Sequence, residues 1–271
     1  MTELQQTEYE ILLELDRICK YLRIPYFLVC GSALGAVKYS GFIPWDDDVD
    51  VAMYRQDYER FLREAPNLLP QNLFLQNYKT DPGFPQIFSK LRNTDTTFIE
   101  KTAAKLPIHH GVFIDIFPLD GYPAGKLSQK WLELRKRLYN SMLLSAYDLP
   151  HVSRLHKLWR FLGIPNRTAV VAGQYEKMIR RYTSESTAVL CNHGNWQGVL
   201  DYAPKYYFAE GAQMVFEGLL VLVPAQYDAY LRRKYGNYQA DLPIELQVGH
   251  HTCSISDCKQ SFLVYINTWR Q

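Results

Sequence analysis

Long apolar runs are missing from this sequence: the longest, Gly218 to Pro224 (GLLVLVP), falls far short of the ~18 residues a membrane-spanning helix needs. Cysteine is scarce and odd in number, five in 271 residues (Cys19, Cys30, Cys191, Cys253 and Cys258), which argues against a secreted disulfide framework and leaves reduced thiols as the expectation. No block of Lys or Arg stands out, and the formal net charge is only +2. The bulk electrostatic attraction that dominates nucleic-acid affinity therefore has little basis, and no nucleic-acid partner is expected. Acidic tails, low-complexity tracts and internal repeats are absent as well. The first residues lack the basic-then-apolar order of a signal peptide, so a cytoplasmic protein is expected. What remains is a chain with 47% hydrophobic residues, long enough to bury a sizeable core as one large domain or a domain with an appended lobe.

Apolar residues at Leu4, Ile11, Leu12, Leu15, Ile18, Cys19 and Leu22 follow a helical period and predict an amphipathic first helix. Tyr26 to Cys30 reads as a short strand, broken at Gly31-Ser32 before Ala33 to Val37 resumes helical character. Asp46 to Met53 reads as a second strand entered through a carboxylate cluster. A helix over Gln56 to Leu69 and strands at Leu73 to Tyr78, Gln86 to Arg92 and Val112 to Phe117 follow. From Lys126 to Tyr182 the pattern is mostly helical, a candidate lobe. Phe216 to Pro224 predicts a strand pair or hairpin and Ala225 to Tyr235 a helix with a basic end; the last thirty-odd residues give little pattern.

Four acids in five residues, Asp46, Asp47, Asp48 and Asp50, repel one another unless a cation neutralises them. Alternation along a strand sends Asp48 and Asp50 to one face, where they can share a hard cation, while Val49 and Val51 turn to the core. Asp115, between Ile114 and Ile116, can supply a third carboxylate from a neighbouring strand. Mg²⁺ or Mn²⁺ held by Asp48, Asp50 and Asp115 is thus the expected cofactor. Gly31-Ser32, where a strand ends and a helix opens, offers backbone N–H groups and a hydroxyl to a phosphate. A Gly-Ser turn alone is weak evidence, because turns favour these residues anyway. The acid cluster beside it gives it weight.

The run GSALGAVKYSGFIPWDDDVDVAMYRQDYERF, Gly31 to Phe61, resembles the signature of the LicD family within the nucleotidyltransferase superfamily. SKLRNTDTTFIE (Ser89 to Glu100), HHGVFIDIFPLDGYP (His109 to Pro123), FEGLLVLVPAQYDAYLRRKYGNY (Phe216 to Tyr238) and the later His250-His251 agree with it. The resemblance implies an α+β fold: a nucleotidyltransferase-type small mixed β-sheet with flanking helices, plus a helical lobe. It divides the chain into a catalytic core (1–125), a helical insertion (126–186) and a C-terminal part completing the LicD-type domain (187–271). The superfamily pattern maps onto Gly31, Ser32, Asp48 and Asp50, with Asp115 as the separate third carboxylate. The interval from Ser32 to Asp48 is longer than usual in the superfamily but contains the GFIPWD element that LicD-like proteins share.

The activity implied is transfer of phosphocholine, or a similar alcohol phosphate, from a CDP-linked donor such as CDP-choline to a glycan hydroxyl of teichoic acid or lipopolysaccharide, with release of CMP. The acceptor implied is a glycan or lipid-linked glycan at the inner membrane face. Asp115 or Asp46 would take the hydroxyl proton or complete the metal site. Lys38, Lys90 and Arg92 are candidates for the diphosphate, against the reading of solvated surface charge. Choline, a quaternary ammonium, is best held by aromatic faces, for which Trp45, Trp196 and Tyr206 are candidates. His250 and His251 could serve as a general base or contact phosphate, choline or acceptor, or be structural; their spacing to Cys253 and Cys258 fits no common zinc finger. The helix around Leu155 to Leu162, with Lys157, Trp159 and Arg160, would permit shallow contact with a membrane, or pack on the sheet. A nucleotidyltransferase releasing pyrophosphate and a non-catalytic binding protein on the same fold are the rival readings. Oligomeric state is open.

Overall fold

A computed structural model describes residues 1–194, 202–249 and 251–269. Helix α1 (Glu3–Leu22) opens with a capping box in which Thr2 Oγ1 accepts from Gln5 N–H and Gln5 Oε1 accepts from Thr2 N–H. Strand β1 (Phe27–Leu28) leads into α2 (Cys30–Tyr39), and β2 (Asp50–Tyr54) into α3 (Arg55–Glu64). Next come β3 (Leu73–Gln76), β4 (Ser89–Asn93), β5 (Thr97–Glu100) and β6 (Phe113–Gly121). The stretch that follows is helical, with α4 (Lys126–Leu144), α5 (Arg154–Phe161) and α6 (Thr168–Ile179). The chain then returns through β7 (Val189–Cys191), β8 (Tyr202–Pro204), β9 (Ala212–Phe216), β10 (Leu219–Val223), α7 (Tyr227–Tyr235), β11 (Cys253–Asp257) and α8 (Phe262–Trp269). The architecture is α+β.

A nine-stranded mixed sheet runs β3-β4-β6-β2-β1-β10-β9, with β7 and β8 added at the end of β6. Its central pairs, β6 with β2 and β1 with β10, are parallel, and the others are antiparallel. Strands from both ends of the chain therefore share one sheet, which makes it larger than the motif alone suggests. Val51 and Met53 of β2 and Ile114 and Ile116 of β6 pack with Ile11, Leu12, Leu15 and Phe61 of α1 and α3. The alternate residues, Ala52, Phe117 and Leu119, face the other way and join a second apolar cluster with Phe27, Phe84 and Phe88. Period-two alternation thus puts Asp50 and Asp115 on the face away from α1 and α3.

Two local readings change. Helix α2 begins at Cys30, so Gly31-Ser32 is not a free turn but the first turn of the helix. The reversal falls on Cys30, whose φ is 53°. Strand β2 starts at Asp50, leaving Asp46 to Val49 as an extended approach rather than ladder. The weakly patterned C-terminus forms β11 on β5 and then α8.

Candidate active site

Three connections build the acid cluster. Ser32 Oγ accepts the N–H of Asp50 at 2.8 Å, fastening the first turn of α2 to the start of β2. Asp50 and Asp115 stand opposite each other in the parallel β2–β6 register, and Asp115 N–H donates to Val49 O at 2.8 Å. Fully buried Val49 anchors the approach between Asp48 and Asp50. The Gln5 amide of α1 donates to Ile43 O at 3.2 Å and Asp46 O at 3.0 Å, clamping the turn before the cluster. Gly31 leaves room for it: a Cβ there would lie 2.8 Å from Asp46 Oδ2.

These groups line a cleft of about 460 Å³. Gly31, Asp46, Asp48, Asp50, Lys90, Asp115 and His251 all border it. Lys90, opposite Asp115 in the β4–β6 register, places Nζ 2.9 Å from Asp115 Oδ1 and 3.2 Å from the centroid of the Phe113 ring. His251 arrives from the C-terminal segment. Its N–H donates to Asp47 Oδ2 at 3.0 Å, and its Nδ1 lies 3.2 Å from Asp47 Oδ1 and 3.9 Å from Asp48 Oδ2.

Burial and mutual repulsion govern the charges. Burial pushes the Asp48 carboxyl up to about 7; His251 opposes this, while Asp46 and Asp115 add to it. Burial and then Asp47 push Asp46 up to about 6. Asp50 is raised well above the carboxylate range by burial, Asp48 and Asp115, with Lys234 opposing. Burial favours neutral His251, yet its bond to Asp47 and the nearby Asp48 push it up to about 9. Burial disfavours charge on Glu100 too, but Lys90 and His251 hold its pKa below the ordinary value. Such crowding of oxygen ligands fits a hard divalent cation, which would relieve the repulsion that lifts these pKa values. Among the described residues, the carboxylates whose oxygens come within 4.8 Å of one another are Asp46, Asp47 and Asp48. The expected trio of Asp48, Asp50 and Asp115 shares the cleft, but Asp115 is ion-paired with Lys90.

Other expected contacts lie elsewhere. Arg92 is 1% exposed and donates to Gln76 Oε1 and Gly111 O, so it is a buried structural residue and not a diphosphate contact. Strand alternation does put it on the same face as Lys90, but β3 and the segment before β6 close that end. Lys38 is bound to Asp241 Oδ1 at 2.8 Å and Ala240 O at 3.1 Å, outside the cleft lining. Ser32 is buried behind the lining, its hydroxyl engaged with Asp50. Trp45 packs edge-on against Tyr39, and exposed Tyr206 against Tyr207, both away from the cleft. Trp196 and His250 fall outside the described residues.

The cleft instead gathers Phe88, Phe117, Tyr147 and Tyr235 as its aromatic rings, with Gln86, Glu100 and Lys234 as further polar groups. None was singled out as a site residue by the motifs. The basic end of α7 was the one signal for Lys234, and Tyr147 lies in the connection after α4, where no motif marks it.

Residues 23–142 match the LicD/FKTN/FKRP nucleotidyltransferase domain. The chain is 29% identical over 249 residues to the lipopolysaccharide cholinephosphotransferase LicD of Haemophilus influenzae, covering 86% of this chain and 89% of that protein. An uncharacterized protein of Rickettsia prowazekii is 23% identical over 184 residues, 58% of this chain and 65% of its own. With the helix start at Gly31, the Asp-Val-Asp approach and the opposing Asp115 brought to one cleft, residues 23–142 carry a LicD/FKTN/FKRP-type nucleotidyltransferase domain, and the chain is similar over most of its length to a LicD-type phosphotransferase.

Proposed function

We propose that this chain moves phosphocholine from CDP-choline to a hydroxyl of a lipopolysaccharide-type glycan, releasing CMP. The observation that carries the reading is the convergence of Asp46, Asp48, Asp50 and Asp115 in one cleft with Lys90 and Lys234. Similarity to the Haemophilus influenzae cholinephosphotransferase over most of both chains supports the transferred group and the glycan class.

Asp48 and Asp50, completed by whichever of Asp46 and Asp115 does not take the proton, are the residues that would hold Mg²⁺ or Mn²⁺; the ion, when bound, would neutralise charge on the donor diphosphate. Lys90 and Lys234 add positive charge at the same cleft. Lys90 is braced by Asp115 and by the Phe113 ring, so its position costs no ordering when donor binds. The rings of Phe88, Phe117, Tyr147 and Tyr235 offer faces to the trimethylammonium group. The acceptor oxygen attacks the phosphorus bearing choline as the bond to CMP breaks, and Asp46 or Asp115 takes the hydroxyl proton. Their Asn variants should separate the two by which one removes the acidic limb of the pH–rate profile.

The test is release of CMP from CDP-choline with a lipopolysaccharide acceptor and Mg²⁺. Asp48→Asn and Asp50→Asn are each expected to lower the rate by about 10²–10³-fold. Pyrophosphate release from a nucleoside triphosphate, or full activity in both variants, would overturn this assignment.

A further inference from the structure

Helix α4 carries two apolar faces. Leu132, Lys136 and Leu143 are buried against the molecule, as expected for a packed helix. On the opposite side Leu127, Trp131, Leu134 and Leu138 are 83%, 63%, 58% and 43% exposed. Their i, i+4, i+7, i+11 spacing makes them one continuous stripe. Helix α5 extends the surface. Trp159 Nε1 donates to Ser141 Oγ at 3.1 Å, seating α5 on α4 beside Leu138. Leu155, Leu158, Phe161 and Leu162 of the α5 region remain exposed, Phe161 by 87%. A contiguous exposed apolar surface of this kind marks an interaction site.

Charge says which kind. Helical geometry puts Lys126, Lys130 and Arg137 along one flank of the α4 stripe and Arg135 along the other. Arg154 and Lys157 border the α5 residues. None of these six has a carboxylate partner among the described residues, whereas Glu133 and Asp148, the acids of the same stretch, are paired with Lys136 and Lys105. Apolar stripes flanked by unpaired cations match an anionic bilayer, where side chains enter the acyl boundary and cations meet phosphate headgroups. No helix among the described residues is long and apolar enough to cross a membrane, so contact of this kind lies in the surface plane.

We infer that the exposed face of α4 and α5 docks the protein onto an anionic lipid surface. Docking there would also fix the cleft relative to the bilayer. Arg160 donates to Ser145 O at 2.9 Å and Tyr147 O at 2.6 Å, tying α5 to the segment whose Tyr147 and Leu149 border the cleft. The inference does not depend on which group the enzyme transfers.

The experiment is co-sedimentation of the full chain with vesicles of equal parts phosphatidylglycerol and phosphatidylcholine, beside vesicles of phosphatidylcholine alone. Binding is expected to the anionic vesicles only and to weaken with salt. Trp131→Ser with Leu134→Ser, and separately Phe161→Ser, should reduce partitioning about tenfold or more. Lys130→Glu with Arg137→Glu should reduce it about fivefold or more per site. Far-UV circular dichroism should be unchanged in all three. No binding of the unaltered chain to anionic vesicles, or equal binding by the variants, would overturn the inference. So would a dimer in sedimentation velocity that the Trp131/Leu134 pair disperses, since a second copy would then be the occupant.

Discussion

His193 and His109 are held neutral by burial, each with its pKa pushed down to about 3. In the unfolded chain both would take a proton near pH 6.5. Between those limits the unfolded state binds more protons, so stability falls as pH drops through the window from 6.5 towards 3. Each histidine should contribute about 2 kcal/mol of loss between pH 6.5 and 5. Urea midpoints measured across that range should decline, and His193→Gln should flatten the slope. Ser32 poses a different question at the same scale. Its hydroxyl satisfies the N–H of Asp50 beneath the cleft, so Ser32→Ala should cost about 1–3 kcal/mol in urea unfolding. Because that bond also positions Asp50, the proposed reaction predicts that CMP release falls in the same variant while CDP-choline still binds.

Between elements, one tie of α6 to the sheet is ionic. Arg55, at the start of α3, donates to both carboxylate oxygens of Asp120 on β6, at 2.8 and 2.6 Å, and to Glu176 of α6 at 2.8 Å. All three residues are buried. Glu176 also accepts from Tyr78. Removing the cation strands two buried carboxylates, so Arg55→Met should destabilise by about 3–5 kcal/mol, measured by denaturant unfolding. Adding Asp120→Asn and Glu176→Gln to that background should recover part of the loss. The periodicities of α1, α3 and the Asp115 strand were readable because each pairs a regular apolar spacing with one solvent or cleft face. Strand β5 and the β11 partner were not. Their sequences, TFIE and CSISD, are too short and mixed for alternation to stand out, and each is stabilised by the other across a long separation.

For the whole molecule, the sheet depends on closure between distant segments. β1 is only two residues long and lies between β2 and β10, so its parallel pairing with β10 is supplied from the other end of the chain. A chain ending after Phe208 would lose β9, β10 and the His251 arm, exposing Phe27, Leu28 and the rest of the strand edge. It is expected to be insoluble or rapidly cleaved in limited proteolysis, where the full chain resists. The same closure completes the cleft, because Lys234, Tyr235 and His251 reach Asp46 to Asp50 only once β10 and α7 are in place.

The sequence by itself determined the elements that local spacing encodes: the strand-to-helix change around Cys30, the alternating Asp48-Val49-Asp50, the Ile-flanked Asp115 and the helical stretch beyond Pro123. Those follow from the two- and 3.6-residue periods, which are properties of neighbouring residues. Tertiary structure decided which faces stay open. Lys90 and Arg92 share a strand face, yet one meets Asp115 at the cleft and the other is sealed under β3 and Gly111. It likewise exchanged Trp45 and Tyr206 for Phe88, Tyr147 and Tyr235, and turned Asp47 to hold His251. A side chain's direction is local, but what covers it arrives from segments tens to hundreds of residues away, and no local pattern carries that information.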